Sequence, residues 1–156
     1  MQVINQISQV ISSSLSLNSI LDATINAVNR LLNFHTIGVL LVDPDAPDML
    51  LLKARAGIIE QFTPIDYRQR IDQGIIGIAC AHKRYMLVND VQNDSRYLPI
   101  PSGETIQAEL VVPILLGERL LGVINLESET AIDADGASDL QTVADQLAVA
   151  IENARL

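Results

Sequence analysis

The stretch Ala108–Ser128, AELVVPILLGERLLGVINLES, decides how the chain is read. Leu110 to Leu116 is apolar throughout, and so is Leu120 to Ile124. A strand that is apolar at every position must be covered on both faces. The stretch is therefore two central strands joined at Gly117-Glu118-Arg119, with layers above and below. Glu109 and Glu127 stand where the apolar runs end, placed to face a cavity or a rim. Side chains alternate across a strand, so Glu109, Val111 and Pro113 share one face, as do Val123, Asn125 and Glu127. A three-residue loop over Gly117–Arg119 sets Glu109 opposite Glu127 and Val111 opposite Asn125. A two-residue loop turns the two sets to opposite faces. Pro113 marks a candidate bulge. Two facing carboxylates repel by roughly 0.2–1 kcal/mol when exposed, and by more when buried. A cationic ligand group, a bound metal or a raised carboxyl pKa would offset that cost. We expect Glu109, Asn125 and Glu127 to contact the polar end of a small ligand.

Outward from the hairpin, the remaining elements alternate in kind. Val3, Ile4, Ile7, Val10 and Ile11 recur at helical spacing, and a second helix is expected from about Asn18 to Leu32. Its buried stripe is Leu21, Ile25, Val28, Leu31 and Leu32, with Ser16 or Asn18 as cap. Thr36–Val42 and Leu50–Ala56 read as a hairpin around Asp43–Asp48. Tyr67–Ile71 is a candidate edge strand, Ile76–His82 a short helix, and Tyr85–Val88 a short strand. Asn89–Pro101 is a polar loop with one helical turn. Asp133–Gly136 reads as a turn, with Ser138 or Asp139 capping the last helix. That helix carries Leu140, Val143, Leu147, Ala150 and Ala154 at heptad spacing, widened by Ala144, Ala148 and Ile151. The order predicts an α+β domain built on an antiparallel sheet.

Composition narrows the function. The chain has 156 residues, enough for one domain with a real core. Hydrophobic residues make up 49% and aromatic ones only 3%, so the core is aliphatic. A net charge of −9 argues against nucleic acid and anionic membrane, which select basic surfaces. The single cysteine, Cys80, excludes an internal disulfide or a CxxC pair. No apolar run reaches a membrane span and no signal segment is visible, so a cytoplasmic location is expected.

Five segments together resemble the GAF family of small-molecule sensor domains. They are Gly74-Ile75-Ile76-Gly77, Val88-Asn89-Asp90-Val91, Asp94-Ser95-Arg96-Tyr97, Glu109 to Ile114, and Leu121 to Ser128. The resemblance implies a six-stranded antiparallel sheet of the GAF-like or PAS-like kind. The first and last helices would pack on one face, with short helices and loops over a ligand pocket on the other. It also implies a module of a longer signalling protein, such as a sensor histidine kinase of a two-component system. Such modules dimerise through their terminal helices and pass a binding event to an output domain in the same polypeptide. The last helix reaches Leu156 without a stop signal, and we expect the domain to be excised from such a protein.

The candidate ligand contacts are Glu109, Val111, Asn125, Glu127, Asp90, Tyr97 and Cys80. The candidate dimer seam is Ile4, Ile7, Ile11, Leu140, Val143, Leu147 and Ile151. Asp90 and Asp94 serve equally as turn and cap residues. Tyr85 and Tyr97 are pocket linings or ordinary core. Cys80 and His82 are two apart on a helix and point in different directions. Haem and metal roles are disfavoured, and His35 has no ligand neighbour in sequence; the resemblance disfavours bilin, since bilin-binding relatives carry their attachment cysteine in a different motif. Asn89 is followed by Asp90 rather than Lys, which departs from the cyclic-nucleotide pattern. A domain without enzymatic activity is the main expectation. A dimerisation and relay module with an empty pocket is the first rival. An enzyme resembling the free methionine sulfoxide reductases is the second, although those enzymes use several cysteines and this chain has one.

Overall fold

A computed structural model describes residues 16–32 and 34–155. The expected helix over Val3–Ile11, with Ile4, Ile7 and Ile11, lies outside the described residues. Helix α1 spans Leu17–Leu32. It starts where the Ser16 hydroxyl accepts the Ser19 N–H at 3.2 Å, which makes Ser16 the cap. Its buried stripe holds Leu21, Ile25 and Val28.

Strands β1 (Thr36–Asp43) and β2 (Ala46–Gly57) form the first hairpin. The Asp43 carboxylate accepts the Asp45 N–H at 2.9 Å and tightens the turn, so β2 starts at Ala46 rather than at Leu50. A 3-10 turn, Ile58–Gln61, leads to the short edge strand β3, Arg68–Arg70. Helix α2 (Gly74–His82) and strand β4 (Met86–Val88) follow. One helical turn, Val91–Asn93, sits in the expected loop. Strands β5 (Ala108–Leu116) and β6 (Arg119–Ser128) and helix α3 (Ala134–Arg155) complete the chain.

The six strands form one antiparallel sheet in the order β3-β2-β1-β6-β5-β4. Both faces are covered, which is why the central strands read as unbroken apolar runs. On one face Leu110, Val112, Ile114, Ile124 and Leu126 pack against α1 and α3. On the other, Val111 and Val123 pack with Leu40, Leu52, Ile75 and Tyr97. Each fully buried aliphatic side chain contributes roughly 1.5–3 kcal/mol. Gly122 is compulsory where β6 crosses β1, because a Cβ there would fall 2.1 Å from the Leu40 carbonyl oxygen.

The central hairpin reaches the expected register by a different route. Leu116 pairs with Arg119, so the turn has two residues, Gly117 and Glu118. Gly117 takes φ +63°, as such a turn requires. One extra residue on β6, Leu121, is then bulged out between the Ile114–Gly122 and Leu115–Leu120 pairs. The bulge restores the offset a three-residue loop would give. Glu109 faces Glu127 and Val111 faces Asn125. Pro113 pairs in register with Val123, and β4 begins with Met86 opposite Val111, short of Pro113. The outer edge of β5 at Pro113 thus needs no N–H donor.

Two expectations about α3 are corrected. The helix begins at Ala134, capped by Asp133, whose carboxylate accepts the Gly136 N–H at 2.8 Å. Ser138 and Asp139 lie inside the helix. Leu140, Val143, Leu147 and Ile151 are at most 2% exposed and belong to the core. They are consumed by packing within this chain and present no free seam to a partner helix. Heptad spacing and a sheet-facing stripe share the same three-and-four steps, so sequence alone did not separate them.

A polar clamp ties β4 to the start of α3. The Asn89 side chain donates to the Ile132 carbonyl at 3.0 Å and accepts the Ile132 N–H at 2.9 Å. We predict that Asn89→Ala lowers stability by about 1–3 kcal/mol, since both bonds are lost and a half-buried backbone N–H is left without a partner. Chemical denaturation with an unchanged slope checks this.

Candidate functional site

On the sheet face away from α1 and α3 lies a cavity of 410 Å³. Its floor comes from three adjacent strands. Thr36 of β1, Glu127 of β6 and Glu109 of β5 stand in one row. Gly38, Asn125 and Val111 form the next row. Gly38 has no side chain, which lets the Leu52 side chain approach: a Cβ there would fall 2.9 Å from Leu52 Cδ1. The walls come from the segment between β2 and β3, from the first turn of α2, and from the loop before β5. Phe62, Tyr67, Ile75, Ile76, Leu98 and Pro101 make these walls mostly apolar. Among the described residues that line it, none is Lys, Arg or His.

Glu109 is 5% exposed and Glu127 is 2% exposed. Among the described residues, Glu127 Oε1, Asn125 Oδ1 and the Tyr97 hydroxyl are buried here without a close hydrogen-bond partner, although the Tyr97 hydroxyl lies near enough to Glu127 to act on its carboxyl. Buried acceptors left unsatisfied are costly and rare in native folds. Burial, and then the neighbouring charge of Glu127, hold the Glu109 carboxyl well above its ordinary pKa. Asn125 offsets this only in part. Burial also raises Glu127, to about 7, although the Tyr97 hydroxyl beside it pulls the other way. The Tyr97 hydroxyl is itself pushed up, by burial first and by the charge of Glu127 second.

The expected contacts divide into three groups. Glu109, Asn125 and Glu127 line the cavity together. Val111, Tyr97 and Cys80 belong to the buried cluster beside it and do not line it. Asp90 is exposed and accepts two bonds from Asn93, so it serves the turn and not the site. Asp94 is held to about 2 by the Arg96 guanidinium and the Arg96 backbone N–H, again a loop-shaping role. Tyr85 is 44% exposed.

Cys80 is buried, and desolvation raises its thiol to about 12. It is not a nucleophile at neutral pH. We predict that 5,5′-dithiobis(2-nitrobenzoate) leaves Cys80 unmodified at pH 8 in the folded protein and reacts fully once urea unfolds it. Among the described residues, no group of three or more His, Cys, Asp or Glu is arranged to hold a metal.

Several lining residues escaped the sequence reading. Gly38 had a signal, since a glycine inside an aliphatic strand marks a close approach. The wall residues Gln73, Phe62 and Tyr67 had none. They reach the cavity through an irregular segment whose path no periodicity encodes.

Residues 14–152 match the GAF domain model, and the chain belongs to the GAF domain family. A search of curated proteins finds no match. Among solved structures, the GAF domain of an Acinetobacter phosphoenolpyruvate-protein phosphotransferase is similar, with TM-score 0.86 and 21% identity over 99% of this chain and 93% of that one. The corresponding domain from Coxiella burnetii gives TM-score 0.88 and 20% identity over 99% and 93%. The free methionine-R-sulfoxide reductase of Neisseria meningitidis, in complex with its substrate, gives TM-score 0.84 and 26% identity over 98% and 88%. The GAF fold is a regulatory and sensor fold, and some of its members are enzymes. No helix among the described residues is long and apolar enough to cross a membrane.

Proposed function

We propose that this domain is a non-catalytic sensor of a small molecule carrying a positively charged nitrogen. The molecule binds between Glu109, Asn125 and Glu127 with its apolar part against Phe62, Ile75, Ile76 and Leu98. Occupancy is relayed through the terminal helices to an output domain, such as a histidine kinase, in the same polypeptide. The domain works in the cytoplasm as a homodimer whose contact uses the outward faces of those helices.

One observation carries the ligand class. Two almost fully buried carboxylates face each other across β5 and β6, an oxygen of one lacks a close partner, and no described lining residue supplies a cation. A fold that keeps such a pair is completed by a cationic donor from outside. A cavity of 410 Å³ supports a binding role over a purely structural relay. The likeness to a sulfoxide reductase solved in complex with its substrate supports small-molecule binding. It does not extend to that chemistry here, because the chain has one cysteine and its thiol is buried at about 12.

A thermal-shift screen of small metabolites at pH 8, on wild type and on Glu127→Gln, tests the reading. Stabilising compounds are expected to carry a basic nitrogen and to lose their effect in the variant. Anionic or neutral compounds that stabilise both proteins equally would overturn it.

A further inference from the structure

The chain has only five aromatic residues, two Phe and three Tyr. Two of them, Phe62 and Tyr67, line the cavity and are 46% and 49% exposed. Leu98 lines it too and is 51% exposed. Residues that both line a cavity and meet solvent stand at its mouth. Single exposed apolar side chains are ordinary, but several around one opening mark a binding surface. The backbone beneath each of them is anchored. The Phe62 N–H donates to the Ile59 carbonyl at 3.1 Å, and the Tyr67 carbonyl accepts the Leu52 N–H at 2.9 Å. Asp66, just before Tyr67, takes φ +69°, and its carboxylate accepts from Lys53 Nζ at 2.7 Å. Gly74 makes room for Leu98, since a Cβ there would fall 2.9 Å from Leu98 Cδ1. The rim is thus set in place before any ligand arrives, which lowers the cost of binding one.

We infer that the ligand ends in an aromatic ring, seated at the mouth of this cavity against Phe62, Tyr67 and Leu98. The inference rests on the proposal that a small molecule binds in this cavity, and it names the group that molecule carries at its outer end. The deeper apolar lining is aliphatic, from Leu40, Leu52, Ile75 and Ile76, and has little to distinguish one apolar shape from another. The rim is different. A flat ring meets aromatic side chains in offset or edge-to-face contact, which adds to what burial alone contributes. A saturated chain or ring gains burial only. The chain builds its core almost wholly from aliphatic residues yet places two of its five aromatics on this rim. That placement separates a ring from an alkyl tail.

Calorimetric titrations at pH 8 compare phenethylamine with 2-cyclohexylethylamine, which has the same charge and carbon skeleton but a saturated ring. Burial alone favours the saturated ring, which has the larger apolar surface. The inference expects the reverse, with phenethylamine binding roughly three- to tenfold more tightly. It also expects that preference to vanish in the double variant Phe62→Leu/Tyr67→Leu, which keeps the rim apolar. Both positions are half-exposed, so the variant keeps its fold, and an unchanged melting curve checks this. Equal or tighter binding of the cyclohexyl compound would overturn the inference, and so would a phenyl preference that survives in the double variant. Binding by neither compound at millimolar concentration would overturn it as well. A changed mass by light scattering in the double variant, with the phenyl preference intact, would make the rim a contact between copies and overturn it too. A third probe, 2-phenylethanol, has the same ring without the charge and separates this inference from the cation reading. If it binds as tightly as phenethylamine and still requires Phe62 and Tyr67, the ring stands and the cation reading falls.

Discussion

Glu127→Gln is expected to make the ligand-free domain more stable above pH 7 and to weaken its pH dependence in the neutral range. In the wild type, burial raises the Glu127 carboxyl from an ordinary 4.5 to about 7. Between those two values the folded state holds more protons than the unfolded chain. Stability therefore falls as pH rises through that window, since its slope follows the protons bound by the unfolded state minus those bound by the native state. The stabilisation is fully present below about 4.5 and lost above about 7. The change for this one group is on the order of 3 kcal/mol. Glu109 is displaced in the same direction, by burial and by the charge of Glu127, and adds to the effect. A neutral amide at position 127 removes both the ionisation cost and the repulsion on Glu109. Urea midpoints from pH 5 to 8 are expected to decline steeply for the wild type and much less for the variant. Equal declines would place the titrating groups elsewhere. Affinity for a cationic ligand runs the opposite way, rising from pH 5 to 8 as the carboxylates ionise.

The second large effect concerns α3. Leu147→Asp is expected to unfold the domain rather than separate two copies of it. Leu147 has no exposed surface and sits between the helix and the sheet in the main core. Replacing it creates a cavity and buries an unpaired carboxylate, changes that together exceed about 4 kcal/mol. Loss of near-ultraviolet circular dichroism, with aggregation on purification, is the expected result. Val149 is 53% exposed on the opposite face of the same helix. Val149→Asp is expected to shift stability by no more than about 0.5 kcal/mol. A changed mass by light scattering in Val149→Asp, with an unchanged fold, would place a helix contact on that outward face.

Much of the fold was legible because apolar patterning is dense in an aliphatic, aromatic-poor chain. The two continuous runs in Ala108–Ser128 demanded cover on both faces, and the sheet provides it with helices on one side and a second buried cluster on the other. Turn chemistry located the turns at Asp43–Asp48 and Gly117–Arg119 but not their lengths, since β2 begins at Ala46 and the second turn has two residues. Register was the weak point, since it depends on a bulge at Leu121 that no residue type announces. Of the polar floor residues, Glu109, Asn125 and Glu127 were legible from position on the strands, whereas Thr36 was not. The walls were not, because Phe62, Tyr67 and Gln73 are brought over the floor by irregular backbone. Tyr97 and Cys80 came close for a simple reason. Both belong to the cluster beneath the cavity, where burial rather than ligand contact decides their state.

The central claim is that Glu109 and Glu127 form a buried acidic pair whose ionisation burial opposes. Carbon-13 NMR titration of the glutamate side-chain carboxyls in the ligand-free domain tests it most directly. The account predicts that the pair titrates in two steps, both above the ordinary glutamate range, with Glu127 near 7. Midpoints near 4.5 for both carboxyls would contradict it, since they would mean that the pair is solvated or already satisfied within the fold.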